Sequence, residues 1–249
     1  INSFFTKTNG YNEFILHYAE LSKNYVDAFI IGSELKGITS INDGNGNFYG
    51  VDNLINLAKL TKQIINNDDV KISYASDWSE YHHTEAGWYN LDDLWSSEYI
   101  DFIGIDAYFP LTNLKQENIS KNDIINGWSS GEFYDYYYDN NGNKNSLEPQ
   151  YAIKNINYWW SNNHINPNGV QTSWIPKSKK IWFTEYGFAS VDGTTNEPSK
   201  FYDKNSIDGG FPKLSDGISD FYYQRLALEA SEEAFKSFEF LEEKFVWCW

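Results

Sequence analysis

Four short apolar runs in the sequence each end in a carboxylic acid. Glu34 follows AFIIGS, Asp77 follows KISYAS, Asp106 closes DFIGID and Glu185 follows KIWFT. Hydrolysis of a glycosidic bond needs two carboxyl groups, because one protonates the leaving oxygen while the other attacks the anomeric carbon or activates water. The acid must keep its proton near neutral pH, and burial or a neighbouring negative charge raises the pKa of a carboxyl group. We therefore predict that Glu34 and Glu185 form a catalytic pair.

Each of these acids also has a simpler interpretation. A single glutamate at a strand end is often a partner in a surface salt bridge or a helix N-cap. A supporting role is favoured for Asp77, Asp106 and Glu80, and Asp106 is a candidate hydrogen-bond anchor. The four histidines and Cys248 show no zinc-ligand spacing, so we expect no metal and no organic cofactor. A single cysteine excludes an intrachain disulfide.

The elements that carry these acids alternate between helix and strand patterns. Apolar periodicity predicts helices at Asn12–Lys23, after an N-cap at Asp52, at Leu91–Ser96 and at Ser219–Phe238. Short apolar runs predict strands at Ala28–Gly32, Lys71–Ala75, Asp101–Ala107, Lys180–Thr184 and Lys244–Trp249. Strands separated by helices indicate right-handed crossovers and a parallel α/β sheet.

Long aromatic loops are expected at the carboxyl edge of this sheet, where ligands bind in such folds. The two longest are Gly127–Tyr151 and Phe188–Asp216. Five strands are too few for a barrel of eight. The alternative is an open doubly wound sheet, although neither GxGxxG nor GxxxxGK[ST] is present.

Composition narrows the classes of function. The net charge of −16 argues against nucleic acid as a partner, because phosphate binding needs a basic surface. Aromatic residues make up 18% of the chain, and their faces can stack on sugar rings. The apolar runs are too short for membrane insertion. No signal peptide pattern is visible in INSFFTKTNG. The length of 249 residues suits one domain spanning residues 1–249.

Longer motifs carry a resemblance to a known family. They are FIIGSELKGIT, YASDWSEY, LDDLW, DFIGIDAYFPL, SSGEFYDYYY, NYWWSNNH, WIPKSKKIWFTEYGFASVDGTTNEPSKFYD and FVWCW. Almost in this order, they resemble the TIM-barrel-like domain of gene transfer agent and phage-type tail-tip (host specificity) proteins. More distantly, the pattern looks like clan A glycoside hydrolases, especially the mannanase-like barrel family. The resemblance covers nearly the whole chain. It implies a (β/α)8 TIM barrel of which this chain carries strands four to eight, with the first three preceding Ile1.

The same resemblance assigns roles to residues. It implies that GSEL ends the fourth barrel strand, with Glu34 as the acid/base, and that FTEYG ends the seventh, with Glu185 as the nucleophile. Tyr108, ending the sixth, would donate a hydrogen bond to the nucleophile. Clan A enzymes are retaining, so the two carboxyl groups should lie about 5 to 5.5 Å apart. The substrate-binding positions it implies are Ser33, Asp77, Trp78, Asp106, Tyr108, Trp247 and Trp249.

One departure concerns the substrate. Clan A enzymes commonly carry Asn before the acid/base, where it contacts the sugar 2-hydroxyl, and this sequence has Ser33 there. We predict a retaining hydrolase of a cell-envelope polysaccharide or of the glycan of peptidoglycan. Two alternatives are a non-catalytic glycan-binding module and a purely structural tail component. The implied partners are carbohydrate and other tail proteins, in a virion-like tail or in the cytoplasm before assembly.

Overall fold

The computed structural model describes residues 1–201, 203, 205–206 and 209–247. The chain forms an α/β fold with a mostly parallel sheet. It divides into two compact units. Unit 1 consists of Ile1–Asp106 and Ser161–Thr184, and unit 2 consists of Ala107–Trp160 and Glu185–Trp249. The sequence-based prediction of one domain over residues 1–249 stays a prediction.

Unit 1 contains five helices and three complete strands. They are α1 (Asn2–Thr6), α2 (Tyr11–Ser22), β1 (Ala28–Ser33), α3 (Lys36–Thr39), α4 (Tyr49–Ile65), β2 (Lys71–Asp77), α5 (Asp92–Ser96) and β3 (Ile103–Asp106). The first four residues of β6 (Ile181–Tyr186) also belong to it, and the strand order is β1-β2-β3-β6. β1 and β3 both pair with β2 in parallel, with Asp77 opposite Asp106. The carboxyl ends of these strands therefore share one edge of the sheet.

The core of unit 1 explains why these segments form strands and helices. All four residues of β3 are buried, as expected of a parallel strand covered on both faces. α4 buries an apolar stripe at helical spacing that includes Leu54, Leu57 and Ala58. Large core side chains include Ile31, Tyr74, Trp95, Ile105 and Phe183. This packing fixes the strand ends that carry the acids.

Unit 2 contains the remaining α-helices and strands of the described residues, together with three short 3-10 helices. The α-helices and strands are α6 (Lys121–Gly127), β4 (Tyr136–Tyr138), β5 (Lys144–Ser146), α7 (Ile156–Ser161, up to Trp160), the last two residues of β6, α8 (Phe221–Phe235) and β7 (Leu241–Val246). β4 and β5 form an antiparallel hairpin. α6 packs on α8, and just past α6 the indole of Trp128 donates to Ser231 Oγ at 3.0 Å. β7 lies next to β6 in the sheet.

Most element boundaries differ from the sequence-based prediction by a few residues, and two of these differences have a visible physical reason. Asp52 is not an N-cap, because α4 begins at Tyr49 and places Asp52 inside its first turn. Gly50 allows the earlier start, since a Cβ there would lie 2.5 Å from the carbonyl oxygen of Ile38. The last strand, Leu241–Val246, begins three residues before the predicted Lys244, and the predicted strand residues 248 and 249 lie outside the described part of the chain. Its residues from 242 onward are exposed, so no buried apolar run marks where it begins.

Several short elements were not predicted from the sequence. They are α1, α3, α6, α7 and the β4–β5 hairpin, which lies inside the loop Gly127–Tyr151. Each has seven residues or fewer, which is too short for periodicity to distinguish it from a loop. Within the described part of the chain, no helix combines the length and the apolar character needed to cross a membrane.

Candidate active site

Glu34 lies just past β1 in an unusual backbone conformation. Its φ is +52°, in the left-handed region, and its side chain is exposed. The amide of Glu34 donates to the carbonyl oxygen of Ala75 at 2.9 Å, and the amide of Leu35 donates to Tyr74 Oη at 2.6 Å. A left-handed conformation costs a residue with a Cβ roughly 1 kcal/mol, so it persists only where surrounding contacts hold it. Two bonds to β2 hold it here.

The buried carboxyl group of Glu80 lies next to this loop. Glu80 is only 3% exposed and accepts hydrogen bonds from Thr39 Oγ1 at 2.5 Å, Tyr74 Oη at 2.9 Å and the Asp77 amide at 3.2 Å. Burial raises the pKa of Glu80 to about 7. Burial and, after it, the charge of Glu80 raise the pKa of Tyr74 well above its usual range. The segment after β1 is thus held by polar groups sealed from water.

Asp106 links three strand ends within unit 1. Its buried carboxylate accepts from Thr184 Oγ1 at 2.7 Å and from Ser33 Oγ at 3.2 Å. Ser33 and Thr184 directly precede Glu34 and Glu185 in the chain. Asp106 therefore has the hydrogen bonds of the anchor considered from the sequence, and the Ser33 hydroxyl donates to protein rather than pointing to solvent alone.

Asp77 is the last residue of β2 and Trp78 begins the turn after it, and both are half-buried. The Asp77 carboxylate accepts the Ser79 amide at 2.8 Å and also the Ser79 hydroxyl. The ammonium group of Lys36 donates to Ser79 Oγ at 2.7 Å. These contacts shape the turn from within the protein. A substrate-binding role for Asp77 and Trp78 stays a prediction.

Glu185 lies inside unit 2, at the penultimate position of β6. Its Oε2 accepts a hydrogen bond from Tyr108 Oη at 2.8 Å, the contact that the family resemblance implied. The strand holds its backbone, because the Ala107 amide donates to the Glu185 carbonyl oxygen at 2.7 Å. The buried Tyr108 ring meets Phe201 edge-on, with centroids 5.9 Å apart. Phe201 was not predicted as a site residue, although the aromatic character of its loop was the available signal.

Trp247 lies close to Glu185 along the backbone of unit 2. Its amide donates to the carbonyl oxygen of Tyr186 at 2.8 Å, and its side chain is 53% exposed. The Trp247 carbonyl oxygen sits so close to Gly187 that a Cβ there would be 1.8 Å away. Only glycine fits this contact. An exposed indole is suited to stacking on a sugar ring. Trp249, also predicted as a substrate-binding residue, lies outside the described residues.

A separate cavity of about 70 Å³ in unit 2 is lined by neither glutamate nor Tyr108. Lys154 lines it and donates to the carbonyl oxygen of Pro110 at 2.6 Å. Burial lowers the pKa of Lys154 to about 7. The cavity is far smaller than the roughly 300 Å³ of ordinary ligand pockets, so it does not suit a sugar. Across the described ranges, no group of three or more His, Cys, Asp or Glu side chains is arranged to hold a metal.

Comparison with known proteins supports the fold. Residues 9–244 match the model of the GTA TIM-barrel-like domain. A solved complex of a GH113 β-1,4-mannanase aligns with a TM-score of 0.55 at 14% identity, covering 97% of this chain and 52% of that one. A GH113 β-mannanase from Alicyclobacillus acidocaldarius, in complex with ManMIm, aligns with a TM-score of 0.54 at 15% identity, covering 97% and 51%.

These similarities confirm the TIM-barrel-like fold predicted from the sequence. The chain spans about half the length of the mannanases it matches. None of the curated proteins compared with it matches. At 14–15% identity the mannanases establish the fold and assign no residue roles.

Proposed function

Because the chain belongs to the family of GTA TIM-barrel-like domains, we propose that it is a retaining glycoside hydrolase acting on a β-linked glycan. Glu34 is the acid/base and Glu185 the nucleophile in this proposal. The observation that carries it is the 2.8 Å hydrogen bond from Tyr108 Oη to Glu185 Oε2. That bond orients the carboxylate through one oxygen and leaves Oε1 to attack an anomeric carbon.

The reaction then follows the two-carboxylate scheme. Glu34 gives its proton to the leaving oxygen while Glu185 attacks and forms a covalent glycosyl-enzyme. Water next displaces Glu185, and Glu34 takes the proton of that water as a base. The exposure of Glu34 suits a group that must exchange its proton with solvent in each cycle. The scheme requires carboxyl groups about 5 to 5.5 Å apart, which a crystal structure with bound sugar would measure.

The proposed substrate is a neutral or weakly charged polysaccharide of the cell envelope. The exposed indole of Trp247 and the ring of Phe201 offer faces for sugar rings on the Glu185 side. The net charge of −16 disfavours a strongly anionic polymer. We propose that the chain works in a phage-like particle, which its match to the GTA TIM-barrel-like domain supports, and that a tail-tip enzyme would meet this polymer there together with other tail proteins. β-1,4-Mannan is included among the glycans to be tested because the matched mannanases are named for it.

A glycan-binding module without catalysis is the second candidate. The observation that favours it is the hydrogen bond from Ser33 Oγ to Asp106 Oδ2 at 3.2 Å. That bond engages the side chain that stands where the related hydrolases commonly place an asparagine for the sugar 2-hydroxyl. A site that has lost this contact can still hold a glycan through aromatic stacking.

Release of reducing ends from β-mannan, chitin fragments and peptidoglycan tests the proposal. The parent should hydrolyse one of them, and Glu185→Gln and Glu34→Gln should each reduce the rate by several powers of ten. The matched control is Glu229→Gln, an exposed glutamate of α8, which should keep the parent rate. Wild-type activity in Glu185→Gln would end the assignment.

Equilibrium binding to the same glycans distinguishes the alternatives. Retention of a glycan by both the parent and Glu185→Gln, with no hydrolysis by the parent, would support the binding module. No affinity for any of the glycans would support a structural tail component.

A further inference from the structure

A chain of hydrogen bonds connects the backbone next to Glu34 with a buried acid. The amide of Leu35 donates to Tyr74 Oη at 2.6 Å, and Tyr74 Oη contacts both Glu80 oxygens at 2.9 and 3.1 Å. A tyrosine hydroxyl has a single hydrogen. Because the Leu35 amide can only donate, Tyr74 must accept from it and direct its own hydrogen to Glu80.

In its other hydrogen bonds, too, Glu80 is the acceptor. Thr39 Oγ1, in the last residue of α3, donates to Oε1, and the Asp77 amide donates to Oε2. An ionised carboxylate satisfies all of these donors, since it is acceptor-only. Protonated Glu80 would itself donate a hydrogen bond to one of these three groups. The Asp77 amide cannot accept, so the hydroxyl group of Thr39 or of Tyr74 would have to reorient and accept it.

We propose that Glu80 is the positioning residue for Glu34, holding the loop between β1 and α3 through Tyr74 and Thr39 in its left-handed conformation. This inference rests on the proposed function for its catalytic meaning, while the structural part stands by itself. Glu80 has no place in the two-carboxylate reaction, and its contacts lie entirely within unit 1. It acts on the backbone that carries Glu34.

The charge state of Glu80 changes in an accessible pH range, since burial raises its pKa to about 7. The ionisable groups around it are Tyr74 and Asp77 on β2 and Lys36 on α3, whose ammonium group is bonded to Ser79. The hydrogen bonds that fix the Glu34 loop therefore change as the pH passes through neutrality. The Leu35 amide is the natural reporter of that change.

Amide NMR of the full chain between pH 5 and pH 9 tests the positioning without any substrate. The Leu35 amide signal should shift with a midpoint near 7 in the parent, and the shift should disappear in Glu80→Gln and in Tyr74→Phe. The matched control is Asp92→Asn, another buried acid of unit 1, whose carboxyl group bonds to His164 and Thr172 and makes no hydrogen bond to Tyr74. It should leave the Leu35 shift in place. A Leu35 shift that persists in Glu80→Gln would overturn the proposal.

Kinetic measurements on a glycan that the parent hydrolyses test the catalytic part of the proposal. Glu80→Gln should lower kcat about 10-fold or more while KM changes less than about twofold, because the substrate does not touch residue 80. Loss of the Leu35 shift in Glu80→Gln without any hydrolysis by the parent would support the positioning and refute the proposed function. A parent that hydrolyses, with equal kcat in Glu80→Gln, would refute the positioning and leave the proposed function intact.

Discussion

The two glutamates of the proposed catalytic pair differ in the contacts that surround them. Glu185 sits in a regular strand, and its side chain accepts a hydrogen bond from Tyr108. Glu34 sits beyond its strand in a left-handed conformation, and the surrounding bonds reach its backbone and that of Leu35. Unit 2 thus holds the Glu185 carboxylate through the Tyr108 hydroxyl, and unit 1 holds the backbone at Glu34 and Leu35. In the proposed reaction a fixed carboxylate suits the nucleophile, and the exposure of Glu34 suits an acid/base that exchanges protons.

The largest expected effect separates the two roles chemically. An aryl glycoside with an acidic phenol departs without protonation, so it needs no general acid. Glu34→Gln should lose about 10²- to 10⁴-fold on the natural glycan and far less in phenol release from the activated glycoside. Glu185→Gln should lose several powers of ten on both substrates, because the nucleophile is needed in either case. Stopped-flow phenol release measures this, and the reverse pattern would exchange the two roles.

The next effect concerns the packing beside Glu185. Gly187→Ala should destabilise the fold by about 3 kcal/mol, because the added Cβ would collide with a backbone carbonyl that cannot move independently. The control is Gly37→Ala in α3, where no atom lies within 4 Å of the added Cβ. That change should be neutral or stabilising by up to about 1 kcal/mol. Urea denaturation of both variants tests this, and equal stabilities would contradict the close contact.

A pH-dependent effect of similar size belongs to the Glu34 side. Folding raises the pKa of Glu80 from 4.5 to about 7, so the stability that Glu80 contributes is present below pH 4.5 and is lost as the pH rises through 7. At about 1.36 kcal/mol for each pH unit, that loss amounts to about 3 kcal/mol. Glu80→Gln does not titrate, so its stability relative to the parent should rise by this amount between pH 4 and pH 8. Denaturation at both pH values checks this, and a constant difference would speak against a buried, titrating Glu80.

A smaller effect is expected from the hydroxyl that contacts Glu185. Tyr108→Phe should lower kcat about 10- to 100-fold, which corresponds to one lost hydrogen bond to a charged group. Tyr186→Phe is the matched control, since its hydroxyl also bonds to a carboxylate, Glu232 on α8, that has no part in the proposed reaction. It should keep kcat within about twofold of the parent. Equal losses in both variants would remove the special role of Tyr108.

The same contrast explains what the sequence could predict. The position of Glu185 follows from an apolar run and the registers of a parallel sheet, and the Tyr108 contact followed from the family resemblance. The conformation of Glu34 depends on Tyr74, which lies 39 residues from Leu35, and on Glu80 beyond it, and no local pattern reports such contacts. The start of α4 at Tyr49 likewise depends on a close contact of Gly50 with the carbonyl oxygen of Ile38. Short-range periodicity contains none of this information.

The positive φ of Glu34 also gives the residue a thermodynamic signature that needs no substrate. Asparagine tolerates the left-handed region better than glutamate or glutamine. Glu34→Asn should therefore be more stable than Glu34→Gln by up to about 1 kcal/mol and should unfold at a higher temperature. Both variants lack the carboxyl group. A higher stability of Glu34→Asn would mean that the backbone at residue 34 favours a side chain other than the one present. Such a position is one that selection retained for activity at the expense of folding stability. Calorimetry of the two proteins would show whether residue 34 has that history.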